Sequence, residues 1–258
     1  MSQWTELESI EAISKMASLI NHPNDIYLGT YRFTILHHDK LSFYSIGDNS
    51  YGQCGTKQDN QRVAGFNNVI GLTKMPMKNF KFEEDEFIKI ISNGHISTLL
   101  LTNKHKLYAC GGNSRGQFGS SKLYGYPPPP FHRVGGAAAP DDGPIAITLD
   151  AELKSLWDKE NIVKIAMGYS HVLVLSEKGS VWSVGDNHYQ QIGLNQNIEY
   201  NTKFKKLLPG DVEMKCIDIE CGQWHSLCVT DNYDLFVFGR NDVKYSYIDD
   251  CYVLCMNH

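Results

Sequence analysis

A glycine-rich motif recurs along this chain and constrains its fold more than any other feature. Three copies are well formed, and they read GDNSYGQCG at 47–55, GGNSRGQFG at 111–119 and GDNHYQQIG at 185–193. A degenerate fourth copy, GRN, begins at Gly239. The intervals between the first glycines of successive copies are long and unequal. Motifs spaced in this way, each after an apolar run, indicate a tandem repeat joined by loops of unequal length.

A second glycine precedes each of the last three copies by a constant interval. Gly94, Gly168 and Gly222 stand at the same distance before Gly111, Gly185 and Gly239, and the first repeat has Gly29 at an offset one position longer. His171 and His225 lie at the third position after two of these glycines, where the second repeat has Ser97. Two apolar runs fill each interval, separated in the third repeat by the polar turn 176–179, which predicts strand, tight turn and strand.

These repeats predict an all-β protein, a β-propeller with one four-stranded blade per repeat. Whole and split units give about four blades, or five if the insertion at 120–150 hides strands. The first repeat has only its later strands, so we expect strand-like pieces near the C-terminus, 247–248 and 252–254, to complete it and remove open sheet edges. We assign 26–258 to the propeller and 1–25 to an N-terminal segment with an amphipathic helix from about Thr5 to Ile20. A short helix is also expected at 150–160.

The sequence pattern of the repeat is Gly-x-x-His followed by Gly-x-Asn-x-x-Gly-Gln-x-Gly. It resembles the regulator of chromosome condensation (RCC1) repeat family over about residues 27 to 247. The resemblance implies a propeller. Members of that family usually have seven blades, and four to five blades depart from this pattern. The chain is then either a miniature ring or part of something larger.

The resemblance to the founding member of the family implies a guanine-nucleotide exchange factor for a small GTPase such as Ran. In that protein one propeller face docks on the GTPase and a projecting wedge disturbs the phosphate and magnesium site. The alternative is a non-catalytic scaffold that binds other proteins. An inhibitor that caps an enzyme is a third hypothesis, disfavoured because the chain has seven cysteines and no signal peptide.

The longest insertion supplies the candidate partner-binding residues. A run of four prolines, stiff as polyproline, is followed by flexible glycines, so the segment is expected to project a rigid arm from a loose base. Aromatic residues and arginine are the usual anchors of interfaces. The candidates are Tyr124, Tyr126, Phe131, His132, Arg133, Asp141 and Asp142. The 124–142 arm is the first candidate for a wedge and the loop at 57–71 the second, unless the arm is only a tolerated surface loop.

Charge argues against a nucleic-acid partner. The net charge is −5, whereas proteins that grip DNA through its phosphates usually carry a basic excess. The basic stretch 203–206 is short and is interpreted as solvated surface.

We predict no catalytic residue, no cofactor and no metal site. His171 and His225 recur at one repeat position, so we expect separate blades to hold them too far apart to act together, in structural hydrogen bonds. The pairs Asp48-Asn49 and Asp186-Asn187 resemble metal ligands, but such residues in glycine turns more often bond their own backbone. No Gly-Lys-Ser/Thr phosphate cradle is present.

The cysteines and the absence of Asn-x-Ser/Thr sequons suit a reducing compartment. We therefore expect the cytoplasm of a eukaryotic cell, or the nucleus; for a bacterial effector, a class in which these repeats also occur, that means host cytoplasm. No signal peptide and no membrane-spanning run is found in the sequence. Cys255 lies fourth from the end, as prenylation requires, but Asn257 and His258 fit that signal poorly, so no lipid anchor is expected.

Overall fold

In the computed structural model, sixteen strands form four four-stranded sheets among the residues that are described. The described residues are 17–20, 22, 25–29, 32–37, 39–49, 51–55, 69–77, 80–119, 145–147, 149, 151–194, 198–207, 215–240 and 251–253. Each sheet corresponds to one repeat and is called a blade.

The strands follow the repeat order. Blade 1 contains β1 (Ile26–Leu28), β2 (Arg32–Leu36), β3 (Phe43–Asp48) and β4 (Val69–Lys74). Blade 2 contains β5 (Ile88–Asn93), β6 (Ser97–Thr102), β7 (Leu107–Gly111) and β8 (Ile145–Ile147). Helix α1 (Ala151–Glu160) precedes blade 3, which contains β9 (Ile162–Met167), β10 (His171–Ser176), β11 (Val181–Asp186) and β12 (Tyr200–Lys206). Blade 4 contains β13 (Cys216–Cys221), β14 (His225–Thr230), β15 (Leu235–Gly239) and β16 (Cys251–Val253).

Two compact units divide the chain. Unit 1 comprises Met1–Gly112 and Gly125–Ala146, and unit 2 comprises Asn113–Tyr124 and Ile147–His258. The core of unit 1 joins blade 1, through residues such as Phe43, to blade 2, through residues such as Leu100. The core of unit 2 joins blade 3 to blade 4 in the same way, with Leu173 and Phe238 among its members. In each unit the adjacent blades are therefore held together by aliphatic and aromatic burial.

The polar residues of the motif satisfy the backbone of their own loop. In all three good copies the asparagine Oδ1 accepts a hydrogen bond from the N–H five residues on, at 2.8–3.3 Å. The glutamine Oε1 accepts one from the N–H two residues back, at 2.7–3.1 Å. In the first and third copies the glutamine Nε2 also donates to the aspartate that follows the first glycine. Asparagine and glutamine recur in the motif because a tight loop needs these acceptors.

A hydroxyl group in each unit links one blade to the motif of the blade before it. Thr98 Oγ1, at the start of β6, donates to the carbonyl of Gln53 at 2.8 Å. Ser226 Oγ, at the matching position of β14, donates to the carbonyl of Gln191 at 2.7 Å. Both hydroxyl groups are buried, so these bonds are formed away from water.

Several sequence predictions are confirmed. The fold is all-β with four blades among the described residues, the turn at 176–179 is present with Gly179 at φ 87°, and the helix expected at 150–160 is α1. Trp157 of this helix is fully buried against Trp182 and Phe204, with ring centroids 6.4 and 5.2 Å apart. Of the N-terminal segment only 17–20, 22 and 25 are described, and 17–19 are helical.

The expected completion of blade 1 by C-terminal strands is wrong. Blade 1 has four strands of its own, because Val69–Lys74, part of which was assigned to a loop, pairs antiparallel with β3. The C-terminal piece Cys251–Val253 pairs instead with β15, in parallel. Apolar runs alone did not predict β4, because this strand contains Gly71 and follows a long connection.

The third motif copy lacks one glycine, and we expect its restoration to stabilise the fold. Gln190 lies at φ 64°, where the other copies have Gly52 and Gly116 at 73° and 72°. A non-glycine residue in this left-handed region is strained, so Gln190→Gly should raise the free energy of unfolding by about 0.5–1 kcal/mol in urea titrations. The reverse change, Gly116→Ala, should lower it, because a Cβ atom there would collide with Thr202. A lower stability of Gln190→Gly would contradict this account.

Candidate protein-binding surface

In unit 2, two turns and two motif copies meet at one edge of the blades. The first glycines of the motifs, Gly185 and Gly239, have φ of 107° and 115°. A Cβ atom on either would overlap a carbonyl oxygen of the preceding Gly-x-x-His turn. The N–H after each glycine donates to that same carbonyl, that of Ser170 or Trp224, at 2.9 Å. The side chains at the variable positions of turn and motif are therefore brought together.

Four of these side chains form a contiguous group, here called the aromatic cluster: Tyr169, Tyr189, Trp224 and Arg240. The Arg240 guanidinium lies 4.4 Å from the ring centroid of Trp224 and 5.1 Å from that of Tyr189. The Tyr169 and Tyr189 rings lie 6.4 and 6.0 Å from the Trp224 ring. The Tyr169 N–H also donates to the carbonyl of Gln223, which ties the two turns together. Tyr189 is 40% exposed and the other three are half-buried, so the cluster faces solvent while its members support one another.

A charged group borders the cluster. Asp186 contacts His188 Nδ1 at 2.8 Å and accepts a hydrogen bond from Gln191 Nε2 at 2.9 Å. Arg115 Nε lies 3.9 Å from the same carboxylate, and Glu199 lies 4.0 Å from His188 Nε2. Charges of both signs thus lie beside the aromatic cluster, and a polar border next to aromatic anchors is usual for a protein-binding surface.

His171 and Ser226 form a serine–histidine contact that is structural. Their side chains meet at 3.0 Å between β10 and β14, but both are buried, with exposures of 1% and 0%. Ser226 uses its one hydroxyl proton on Gln191, so His171 Nε2 must carry the proton in their shared bond. A histidine in that tautomer cannot accept the serine proton, and no substrate reaches the pair. The prediction that His171 makes a structural bond between blades is confirmed.

His171 and His225 occupy separate, adjacent blades, as expected, and His171 contacts Ser226, the residue next to His225. Burial lowers the pKa of His171 to about 4. His171 is therefore neutral at physiological pH, while His225 is exposed.

The thiols described are also structural. The five cysteines whose side chains are described form no disulfide, and Cys54, Cys110, Cys216 and Cys228 are buried. Burial raises the pKa of the Cys221 thiol to about 12, so this group is protonated at neutral pH. The described residues include no group of three or more His, Cys, Asp or Glu side chains arranged to hold a metal ion. In the described part of the chain, no helix has the length and hydropathy needed to cross a membrane.

Comparison with known proteins identifies the repeats. Two models of the regulator of chromosome condensation (RCC1) repeat match this chain, one over residues 162–191 and the other over 178–229. The repeats are of the RCC1 type. Both matches lie in blades 3 and 4, which also carry the aromatic cluster.

The relatives match this chain over only part of their own length. The human probable E3 ubiquitin-protein ligase HERC6 is 29% identical over 60% of this chain and 13% of its own. A human RCC1-like G exchanging factor-like protein is 25% identical over 62% of this chain and 33% of its own. The crystal structure of Prp20p from Saccharomyces cerevisiae superposes with a TM-score of 0.59 at 19% identity, over 83% of this chain and 44% of Prp20p. This chain thus spans less than half the length of each of these relatives, and the last comparison establishes the propeller fold.

The site residues predicted from the sequence stay a prediction, because the structure does not describe them. All seven candidates of the arm, from Tyr124 to Asp142, lie outside the described residues, as does the 57–68 part of the second candidate loop. The aromatic cluster was missed because its members occupy the variable positions of the RCC1-like repeat. A signal was available: Tyr169 and Trp224 lie inside the two Gly-x-x-His turns, and Tyr189 and Arg240 inside the two motifs that those turns contact.

The buried neutral His171 should make stability depend on pH. The unfolded chain binds a proton at this residue below about pH 6.5, but the folded protein does so only near pH 4. Stability is therefore complete above pH 6.5 and falls by up to about 3 kcal/mol as the pH drops to 4. Urea titrations at several pH values should show a smaller loss for His171→Gln.

A matched control is Ser226→Ala, which removes the hydrogen-bond partner but keeps the titrating group. It should lower stability at every pH and retain the dependence. If the free energy of unfolding depended on pH equally in the wild type and in His171→Gln, His171 would not be the group responsible.

Proposed function

We propose that this chain acts by binding a protein partner and that the partner contacts the aromatic cluster of unit 2. The observation that supports this most directly is the stacking of Arg240 on both Trp224 and Tyr189. Tryptophan, tyrosine and arginine are the residues that dominate binding energy at interfaces. A guanidinium already stacked on two rings loses less conformational entropy on binding than one that must be immobilised by the partner.

The chemistry of the surrounding groups favours binding over catalysis. The serine–histidine contact of this edge, His171 with Ser226, is closed to substrate. The carboxylate of Asp186 already bonds Gln191 and His188, groups of its own motif. A function that consists of recognising another protein needs no reactive side chain.

A small GTPase is the first partner to test, and nucleotide exchange the first activity. One human relative carries the name RCC1-like G exchanging factor-like protein, and Prp20p was described together with its binding to Gsp1p and histones. Exchange requires only that the chain hold the nucleotide-free GTPase more tightly than the loaded one. We assign docking to the aromatic cluster and displacement of the nucleotide to the 124–142 arm. The 57–71 loop is the second candidate for displacement.

A non-catalytic scaffold is the second candidate function. It is favoured by the aromatic cluster itself, which offers a binding surface that needs no wedge. Under this hypothesis a partner binds at the same edge and nothing is released from it.

Exchange can be tested by the release of fluorescent GDP from a panel of purified small GTPases, Ran included. We expect the wild-type chain to accelerate release from one of them roughly tenfold or more, equivalent to about 1.4 kcal/mol off the barrier. Deletion of 127–142 should abolish acceleration but leave binding intact, because it removes the wedge and not the docking surface. Trp224→Ala and Arg240→Ala should each weaken binding about 30-fold, the effect of losing an anchor worth about 2 kcal/mol.

Tyr233→Ala is the control, since this residue is 82% exposed at the tip of the β14–β15 hairpin in the same blade. Binding that survives both cluster variants would reject the proposed surface. If no GTPase binds, the exchange proposal is rejected. Capture of a cytosolic protein by the wild type and not by Trp224→Ala would then support the scaffold.

A further inference from the structure

Blade 4 has an apolar face that is only partly covered. The pairs Leu227 with Val237 and Val229 with Leu235 lie directly across β14 and β15, and therefore on one face of the sheet. All four side chains are half-buried. The opposite face, which carries residues such as Cys228, belongs to the core of unit 2. The four aliphatic residues are here called the uncovered face.

The preceding repeat shows what covers these positions. Counted from the first glycine of the motif, Leu173, Leu175 and Val181 occupy the repeat positions that Leu227, Val229 and Leu235 occupy in blade 4. They are 0%, 3% and 2% exposed, and they belong to the core that blade 3 shares with blade 4. The uncovered face thus has the composition and the repeat position of a surface on which the next blade packs.

One repeat position is buried in blades 1 to 3 and only half-buried in blade 4. At the fourth position before the first glycine of the motif stand Phe43, Leu107, Val181 and Leu235. The first three are 0%, 1% and 2% exposed, whereas Leu235 is half-buried. The fourth repeat keeps a core residue at a place where its own chain does not bury it fully.

Blade 1 has an aliphatic surface that faces solvent. Ile26 and Leu28 of β1 are 37% and 78% exposed, and they lie on the same side of the strand because side chains alternate. Tyr27 between them packs against the core of unit 1. β1 therefore has one face in the core and one aliphatic face toward solvent.

We propose that the uncovered face of blade 4 binds the Ile26–Leu28 face of blade 1 in a second copy of this chain. The contact is heterologous and repeats, between copies, the blade-on-blade packing that joins blades 3 and 4 within unit 2. A blade suits this face better than a peptide does, because the four side chains span two strands.

Sedimentation velocity over a range of micromolar concentrations tests the proposal. The wild type should associate reversibly, and Leu28→Glu and Val237→Glu should each weaken association roughly tenfold or more, because each places a charge in an apolar contact. Tyr233→Glu is the matched control: Tyr233 is as exposed as Leu28, at 82% against 78%, but lies at a hairpin tip, and its substitution should have no effect. Circular dichroism verifies folding, and the high exposure of Leu28 keeps its variant informative if Val237→Glu unfolds.

A mixing experiment distinguishes this contact between two different faces from a two-fold symmetric contact, in which a face binds the same face of the second copy. Leu28→Glu retains an intact blade 4 face, and Val237→Glu retains an intact blade 1 face. Mixing the two variants should restore a dimer through the one undamaged contact. A wild type that stays monomeric throughout, or a mixture that stays monomeric while the wild type associates, would overturn the proposal. Loss of association in the Tyr233→Glu control would also overturn it.

Discussion

The structure depends on one backbone contact, which recurs in blades 2, 3 and 4. The N–H that follows the first glycine of the motif donates to a carbonyl of the preceding turn, at 2.8 Å for Gly112 and Ile96 and at 2.9 Å for Asp186 and Ser170. Only glycine permits this approach, since a side chain would overlap the carbonyl and the φ angles lie in the left-handed region. The constant interval between the two glycines of a repeat is the length of two strands and a hairpin that return the chain to this contact.

The spacing of the glycines made the fold predictable from the sequence, whereas the repeat pattern gave no sign of the aromatic cluster. Gly168 and Gly185, with the apolar runs between them, specify β10 and β11 without any tertiary information. Strand β4 could not be found in this way, because its pairing with β3 is decided by a partner distant in sequence. The aromatic cluster depends on which turns meet in space, and a motif search discards those positions as variable. A structural bond at His171 could be predicted, but its partner Ser226 could not, because the packing of the blades rather than the repeat position brings the two residues together.

Neutral polar groups add a hydrogen-bonded link to the apolar core between blades 3 and 4. His171, Ser226 and the Gln191 carbonyl form a chain of hydrogen bonds in which each proton is assigned to one donor. Burial lowers the pKa of His171, so the chain holds no charge that would have to be desolvated. His171 therefore bonds one blade to the next without carrying a charge.

The motif uses its asparagine and glutamine on its own backbone, and this has a consequence for how such a surface changes. The position two residues before the glutamine is occupied by Tyr51, Arg115 and Tyr189 in the three good copies, and the bond that it gives to the glutamine comes from its backbone N–H. Substitution at this position changes a side chain that reaches solvent, while the backbone hydrogen bonds of the loop remain. For the proposed protein-binding function, single replacements at these positions would alter the contact surface, and the same positions are where a new specificity could be engineered.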